Sequence, residues 1–514
     1  MAKLYEYEGK ELLQKSGIKI PRGGRAKTKE EARKIAEEIG RPVVIKAQAW
    51  VTGRAQAGGV KFAQNPEEAE AAAGQILRMD IKGFRIREVL VEERLEVDRE
   101  FYIGMIVDDV SKCPVLIFSS VGGTGIEEIA QRDPDRVIKI PIDVTKGLKG
   151  FRAKNALIKL DIRGELQAGL ADLLVKFYET CRKNEARSGE INPLVLTKQG
   201  QIIAADSHIV IDDYAVFRHP ELGIEIAREF DRPPTELEKV AYHVEAKDHR
   251  GTFYFLQMAQ ELERGKGYIG FHGAGGGGSM MSMDALLSQG FQIANYCDTS
   301  GNPSASKVYR AARIILSQKN IDGYFASGSG VASQEQFQSA RGLVKAFREV
   351  GLNLPAVIRI GGNSEELAME ILHTYTKDLP GKVEAYGRDT SAVFCAKRMR
   401  ALVDRWDYSK AVLKAEGLNR PQATSYSFGI LTGKLWIDHE RCPACAAKPC
   451  VDSCAAKILK FDEEKRPVLN VTPEEAKKGR CTECLACELA CQFQGNGAIV
   501  IDLPIPGLDK ATEA

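Results

Sequence analysis

Eight of the chain's twelve cysteines lie between Cys442 and Cys491, a window in which an even spread would place about one. They form two runs: Cys442, Cys445, Cys450 and Cys454, then Cys481, Cys484, Cys487 and Cys491. This clustering restricts the local fold more than any other feature, because so many thiols at short spacing need a common partner. The amino terminus, MAKLYEYEGKELLQ, is charged from its start and has no apolar signal core, so a cytoplasmic chain with reduced thiols is expected. A disulfide framework is then disfavoured and a metal centre favoured. Soft thiolates in fours suit iron–sulfur cubes. Cys-x-x-Cys pairs also build zinc ribbons, but two complete runs of four favour clusters.

The rest of the chain has an ordinary globular composition. Its 514 residues imply about three domains. At 44% hydrophobic there is ample apolar surface to bury, which excludes a wholly disordered chain. The 72 basic and 70 acidic side chains leave a net charge of +2, so no single-sign field points to nucleic acid. No run of about 18 apolar residues is present, so no membrane contact is expected.

Three textures follow one another. Residues 1–235 mix strands (42–47, 87–93, 100–107) with amphipathic helices (30–40, 66–79), and DRPPTE near 232–234 reads as a linker. Residues 250–405 alternate more regularly, with strands at 267–272, 291–296, 323–327, 355–360 and 382–387. Helices at 305–317, 333–351, 365–375 and 391–403 separate the later strands, the pattern of a parallel sheet covered on both faces. Residues 406–440 read as a linker and 441–507 as the cysteine-rich module.

Four stretches carry a resemblance: YEYEGKELLQKSGI (5–18), VIKAQAWVTGRAQAGGVK (44–61), EINPLVLTKQGQIIAAD (190–206) and ANYCDTSGNPSASKVYRAARIILS (294–317). With them, residues 1–405 resemble the β subunit of succinyl-CoA synthetase and the large subunit of ATP-citrate lyase. The resemblance implies an α/β chain: an ATP-grasp domain (1–235), then a flavodoxin-like, parallel-sheet CoA-ligase domain (250–405). It implies ATP or GTP and Mg²⁺ as cofactors. It makes Lys46 the candidate phosphate-meeting lysine and Gly53, Arg54 and Ala55 the candidate lid, where backbone N–H groups can approach phosphate. Ala55 stands where the family has glycine, and Gln56 where it has lysine. Glu92, Leu95 and Glu100 match nucleotide contacts. Asn192 and Asp206 match the magnesium ligands. Glu190, on the face of the strand that Asn192 shares, is implied at the phosphoryl-transfer site with Arg54.

In the second half the resemblance places the carboxylate among His272, Gly278, Ser279, Ser329, Gly330, Val331, Ser333 and Arg359, with GFHGAGGGGSMMSMD (270–284) as a glycine loop. Arg359 is a candidate to pair with the acid. No segment resembles the CoA-binding domain, so a partner α-type subunit carrying the phosphohistidine, in a hetero-oligomer, is implied. Residues 441–507 resemble a two-cluster bacterial ferredoxin, a small α+β domain in which the fourth cysteine of each run serves the other cluster. That resemblance assigns Cys442, Cys445, Cys450 and Cys491 to one [4Fe–4S] cluster, and Cys454, Cys481, Cys484 and Cys487 to the other. The expected function is an acyl-CoA synthetase subunit, ADP- or GDP-forming, coupled to electron transfer. A 2-oxoacid:ferredoxin oxidoreductase is a candidate redox partner. The rival reading is an electron-transfer or assembly subunit with a degenerate ligase scaffold.

Overall fold

The computed structural model describes residues 2–51, 53–122, 134–228, 232, 234–248, 250–328, 332–409 and 426–513 (side chains at 134, 332–334, 512 and 513 excepted). The chain divides into two compact units, Met1–Pro234 and Thr235–Ala514, at the DRPPTE segment.

The first unit is built on two antiparallel sheets, beside a small hairpin that pairs Asp80–Ile81 with Phe84–Arg85. The smaller has the order β2 (Gly23–Ala26), β5 (Val89–Glu93), β3 (Val43–Ala47), β4 (Val60–Ala63). Helices α2 (Lys29–Ile39) and α3 (Pro66–Ile76) cover it with alanine-rich faces, Ala32, Ala36, Ala69 and Ala73 being buried. Thr28 and Asn65 cap these helices by accepting from Glu31 N and Glu68 N. The larger sheet runs β1 (Ala2–Lys3), β11 (His208–Ile211), β9 (Ala186–Thr197), β6 (Val97–Asp108), β7 (Cys113–Ser119), β8 (Val137–Pro141), with β10 (Ile202–Ala204) on β9. The helix α4 (Gly164–Lys183) packs Leu170, Leu174 and Phe177 against this sheet's core. The opening helix α1 (Glu6–Lys15) buries Leu12 and Leu13 and, unusually, Glu6 and Lys10.

The second unit opens on α5 (Glu236–Glu245) and is built on one six-stranded sheet. Its order is β12 (Tyr254–Gln257), β14 (Gln292–Asp298), β13 (Tyr268–Ala274), β15 (Gly323–Gly328), β16 (Ala356–Arg359), β17 (Val383–Tyr386). Only β12 is antiparallel. The five parallel strands therefore run 2-1-3-4-5, the flavodoxin-like order. Successive side chains on β15 face opposite layers, as the pleat requires. Phe325 joins a core with α6 (Gly276–Ser288) and α10 (Ala392–Val403), while Tyr324 and Ala326 join one with α7 (Ala305–Leu316), α8 (Phe337–Val350) and α9 (Glu365–Thr376). The helix expected over 333–351 starts later, because Ala332–Glu335 pairs in parallel with Gly362–Asn363.

Of the linker expected over 406–440, residues 410–425 lie outside the described residues, and both described ends are ordered against neighbours. Trp406 Nε1 donates to Asn353 O at 3.0 Å and the Tyr408 hydroxyl to Asp322 O at 2.7 Å, so its start is tied to the sheet. Its end forms β18 (Tyr426–Gly429) and β19 (Lys434–Ile437), which make a three-stranded sheet with β20 (Ile499–Asp502). Leu435, Ile437, Ile499 and Ile501 from this sheet lie in the same core as α7 and α8. The cysteine-rich region is thus part of the second unit's hydrophobic core.

Candidate functional site

In the first unit, both sheets wall a cavity of about 1390 Å³. The small sheet contributes Lys46 and Glu92, the lid Gly53, Arg54 and Ala55, and the chain leaving β5 Leu95. The large sheet contributes Glu100, Glu190 and Asn192, with Asp206 just beyond β10. Every nucleotide and magnesium residue expected from sequence lines this one space. Thr52 lies outside the described residues. The lid is a tight hairpin: Gly59 N donates to Arg54 O at 2.8 Å, and Arg54 Nη1 to Ala47 O at 2.9 Å. Gly59 has no room for a side chain, since a Cβ there would stand 3.0 Å from Arg54 O and 2.7 Å from Ile81 Cδ1.

A charge network backs the cavity wall. Lys46 Nζ lies 2.8 Å from Glu6 Oε1 and 2.9 Å from Glu92 Oε2, and it donates to Ala205 O at 2.6 Å. Arg54 spans Glu6 Oε2 at 2.8 Å and Asp206 Oδ1 at 3.1 Å. Lys10 Nζ donates to both Glu92 oxygens, at 2.6 and 2.7 Å, and to Glu6 Oε1 at 2.8 Å. Burial alone would raise the Glu6 carboxyl, but Lys10, Lys46 and Arg54 outweigh it and hold the group well below the usual carboxylate range. Burial alone would lower Lys46, but Glu6, Glu92 and Asp206 hold its ammonium above its ordinary value. Asp206 is pushed up, first by burial and then by Glu6. Glu190 Oε1 accepts from Asn192 Nδ2 at 3.1 Å, ahead of a cis Asn192–Pro193 peptide. Sequence reasoning missed Glu6 and Lys10. Their signal was two charges at core-facing positions, i and i+4, of an amphipathic helix.

In the carboxylate half, the described residues make internal contacts. His272 is 4% exposed, with Nδ1 at 2.5 Å from the Tyr324 hydroxyl and Nε2 at 3.1 Å from Thr299 Oγ1. Burial pushes its imidazole down to about 4, so both ring nitrogens serve an internal, neutral contact. The expected glycine loop is instead the first turn of α6, which includes Gly278 and Ser279. Ser279 is buried, and its hydroxyl donates back to Gly275 O at 2.7 Å. Arg359 donates three N–H groups to backbone, to Thr390 O at 2.6 Å, Gly328 O at 2.9 Å and Arg388 O at 3.2 Å. It ties the ends of neighbouring strands together. Ser329, Gly330 and Val331 lie outside the described residues, and Ser333 sits on the short Ala332–Glu335 strand. A separate recess of about 660 Å³, lined by Arg250, Ser300, Asn302 and Glu335 among others, includes none of the described residues expected to hold the acid.

The eight clustered cysteines are free thiols, seven buried and Cys484 half-buried. Cys442, Cys445, Cys450 and Cys491 line one recess. Cys487 has Cys484, Cys481 and Cys454 as its electrostatic neighbours. Ala498 N donates to Cys491 Sγ at 3.1 Å and Lys448 N to Cys445 Sγ at 3.4 Å. Among the described residues no group of three or more His, Cys, Asp or Glu side chains is arranged to hold a metal ion. Nor is any described helix long and apolar enough to cross a membrane.

A family model described as an ATP-grasp domain matches residues 3–196, the class that the paired sheets and their cavity define. A second, described as ATP citrate lyase citrate-binding, matches residues 259–398. The β subunit of GDP-forming succinate–CoA ligase from Thermus thermophilus is 38% identical over 72% of this chain and 93% of its own length. The ADP-forming β subunit from Rubrobacter xylanophilus is 34% identical over 72% and 92%. ATP citrate lyase from Methanothrix soehngenii, solved with citrate and coenzyme A, shares the fold at a TM-score of 0.64 and 19% identity, over 76% of this chain and 97% of that one. The chain belongs to the superfamily of succinate–CoA ligase β subunits and ATP-citrate-lyase-like ATP-grasp proteins, and it is an acid–thiol ligase by class. Both family models end before the cysteine runs.

Proposed function

We propose that the chain is the nucleotide- and carboxylate-binding, β-type subunit of a nucleoside-diphosphate-forming acyl-CoA synthetase. The reaction is carboxylate + CoA + NTP ⇌ acyl-CoA + NDP + phosphate. The observation that carries this reading is the convergence of Lys46, Arg54, Glu190, Asn192 and Asp206 on one cavity. Phosphoryl transfer needs little covalent help from protein, so positioned charge is the main requirement. The Lys46 ammonium is a compact point charge suited to phosphate oxygens. Asn192 and Asp206 offer the oxygen ligands that Mg²⁺ prefers, with water and phosphate completing its shell. Arg54 brings a second cation on the lid. The partner is a CoA-binding α-type subunit that carries the phosphohistidine; the curated relatives are themselves named as β subunits. His272 and Arg359 shape the carboxylate half from within. The test is acyl-CoA formation from nucleotide, CoA and a carboxylate panel with the α-type subunit present. Activity lost in Lys46→Ala and Asp206→Ala supports the reading, and activity unchanged in both overturns it.

The reading extends to the cysteines, as holders of two [4Fe–4S] clusters. Cys491 of the second run shares a recess with Cys442, Cys445 and Cys450 of the first, and backbone N–H groups point at two sulfurs. Such donors stabilise charge on a cluster's ligands and tune its potential. When bound, the clusters supply one-electron transfer. A 2-oxoacid:ferredoxin oxidoreductase fits as redox partner because it handles both acyl-CoA and electrons. Iron and acid-labile sulfide measured on protein purified without oxygen test this assignment.

A further inference from the structure

We propose that Glu6 is a positioning residue of the nucleotide site, a buried carboxylate that fixes where both phosphate-seeking cations stand. The inference rests on the nucleotide reading of the cavity. The Glu6 side chain is 1% exposed and is absent from the cavity lining, while Lys46 and Arg54 belong to it. One oxygen of Glu6 lies 2.8 Å from Lys46 Nζ, and the other 2.8 Å from Arg54 Nη1. A single carboxylate behind the wall thus holds a strand lysine and a lid arginine in register.

Lys10 makes that arrangement tenable. It sits one turn along α1, 2.8 Å from Glu6 Oε1 and 2.6 Å from Glu92 Oε1, and offsets the two buried anions. With Lys10 paired in this way, Lys46 and Arg54 keep their charge facing the cavity. Asp206 holds the other side of the Arg54 fork. A divalent cation drawn to Asp206 would leave Arg54 anchored through Nη1 on Glu6 and Ala47 O, with Nη2 free to meet the phosphates. Lysine and arginine lose much rotamer freedom when fixed, so a carboxylate that fixes them beforehand favours binding of polyphosphate over binding of the bare nucleoside.

The test is calorimetric titration of the full chain with Mg-ATP or Mg-GTP, whichever the native protein binds, beside titration with the corresponding nucleoside. Glu6→Gln should weaken the triphosphate at least tenfold and leave the nucleoside within twofold. Glu6→Asp, which keeps the charge but withdraws it by one methylene, should weaken the triphosphate severalfold and remain folded. The Glu6→Gln/Lys46→Ala double variant should be far less impaired than the two single losses combined, because one residue acts through the other. Equal loss of triphosphate and nucleoside in both Glu6 variants would mark a purely structural role and overturn the proposal. So would triphosphate affinity within twofold of native. If the native chain binds neither ligand, the nucleotide reading itself fails first.

Discussion

The imidazole of His272, wedged between Tyr324 and Thr299, is pushed down to about 4 by burial. In the unfolded chain its pKa is near 6.5, so the unfolded state binds one more proton between those two values. Its neutral form is fully compatible with folding above about 6.5, and stability falls as pH drops toward 4. The drop is roughly 3 kcal/mol across that window. Urea unfolding at pH 7.5 and 5.0 checks it: native protein should lose more stability on acidification than His272→Asn does. Gly59→Ala makes a second prediction. Its Cβ would press on Arg54 O at 3.0 Å, a backbone atom that cannot yield without moving the lid, at a cost of about 1–3 kcal/mol. Nucleotide affinity should fall with it, read by the same titration as above. Residues of the nucleotide wall were legible because a local motif carries each of them. Glu6 and Lys10 were not, since their partners lie on strands far along the chain. The internal contacts of His272 and Arg359 were not legible for a related reason: sequence shows a donor but not which neighbouring groups it meets.

At the scale of elements, α8 and the helix of the second cysteine run, α11 (Ala486–Gln494), are joined by a buried pair. Lys345 Nζ lies 2.7 Å from Glu488 Oε1, with side chains 2% and 1% exposed, and Ile501 N donates to the same oxygen at 3.0 Å. Tyr375 stacks on Phe493 beside it at 4.0 Å between ring centroids. Removing one partner of a buried pair leaves an uncompensated charge. Glu488→Ala should therefore destabilise the second unit by about 3 kcal/mol, near the low end because Glu349 still reaches Lys345 at 2.9 Å. The apolar pair Lys345→Met/Glu488→Leu should recover most of that loss, as thermal unfolding without oxygen will show. The parallel strands were readable as short apolar runs between helices. β18 and β19 were not, because each is four residues long and their partner β20 lies more than sixty residues on.

The whole molecule joins a nucleotide-binding unit to a unit whose flavodoxin-like sheet and cysteine centre share one core. If both cysteine sets hold cubes, purified protein should carry about eight irons. Cys491→Ala and Cys454→Ala should each reduce that to about four, measured by iron content and by electron paramagnetic resonance of the reduced protein. Iron removal should also lower the unfolding temperature of the second unit, because the cysteines sit in its core. The alternation of strands and helices behind the second unit's parallel sheet was legible in texture, while the depth at which the cysteine region is embedded was not, since it depends on contacts between segments distant in sequence. The central claim is that the first unit binds a nucleoside triphosphate through Lys46, and the direct measurement is anaerobic calorimetry of Mg-ATP and Mg-GTP on the full chain and on Lys46→Ala. Saturable binding by the native chain, weakened at least tenfold in the variant, is the predicted result. No binding by a folded, iron-replete native chain, or equal binding by both proteins, would contradict it.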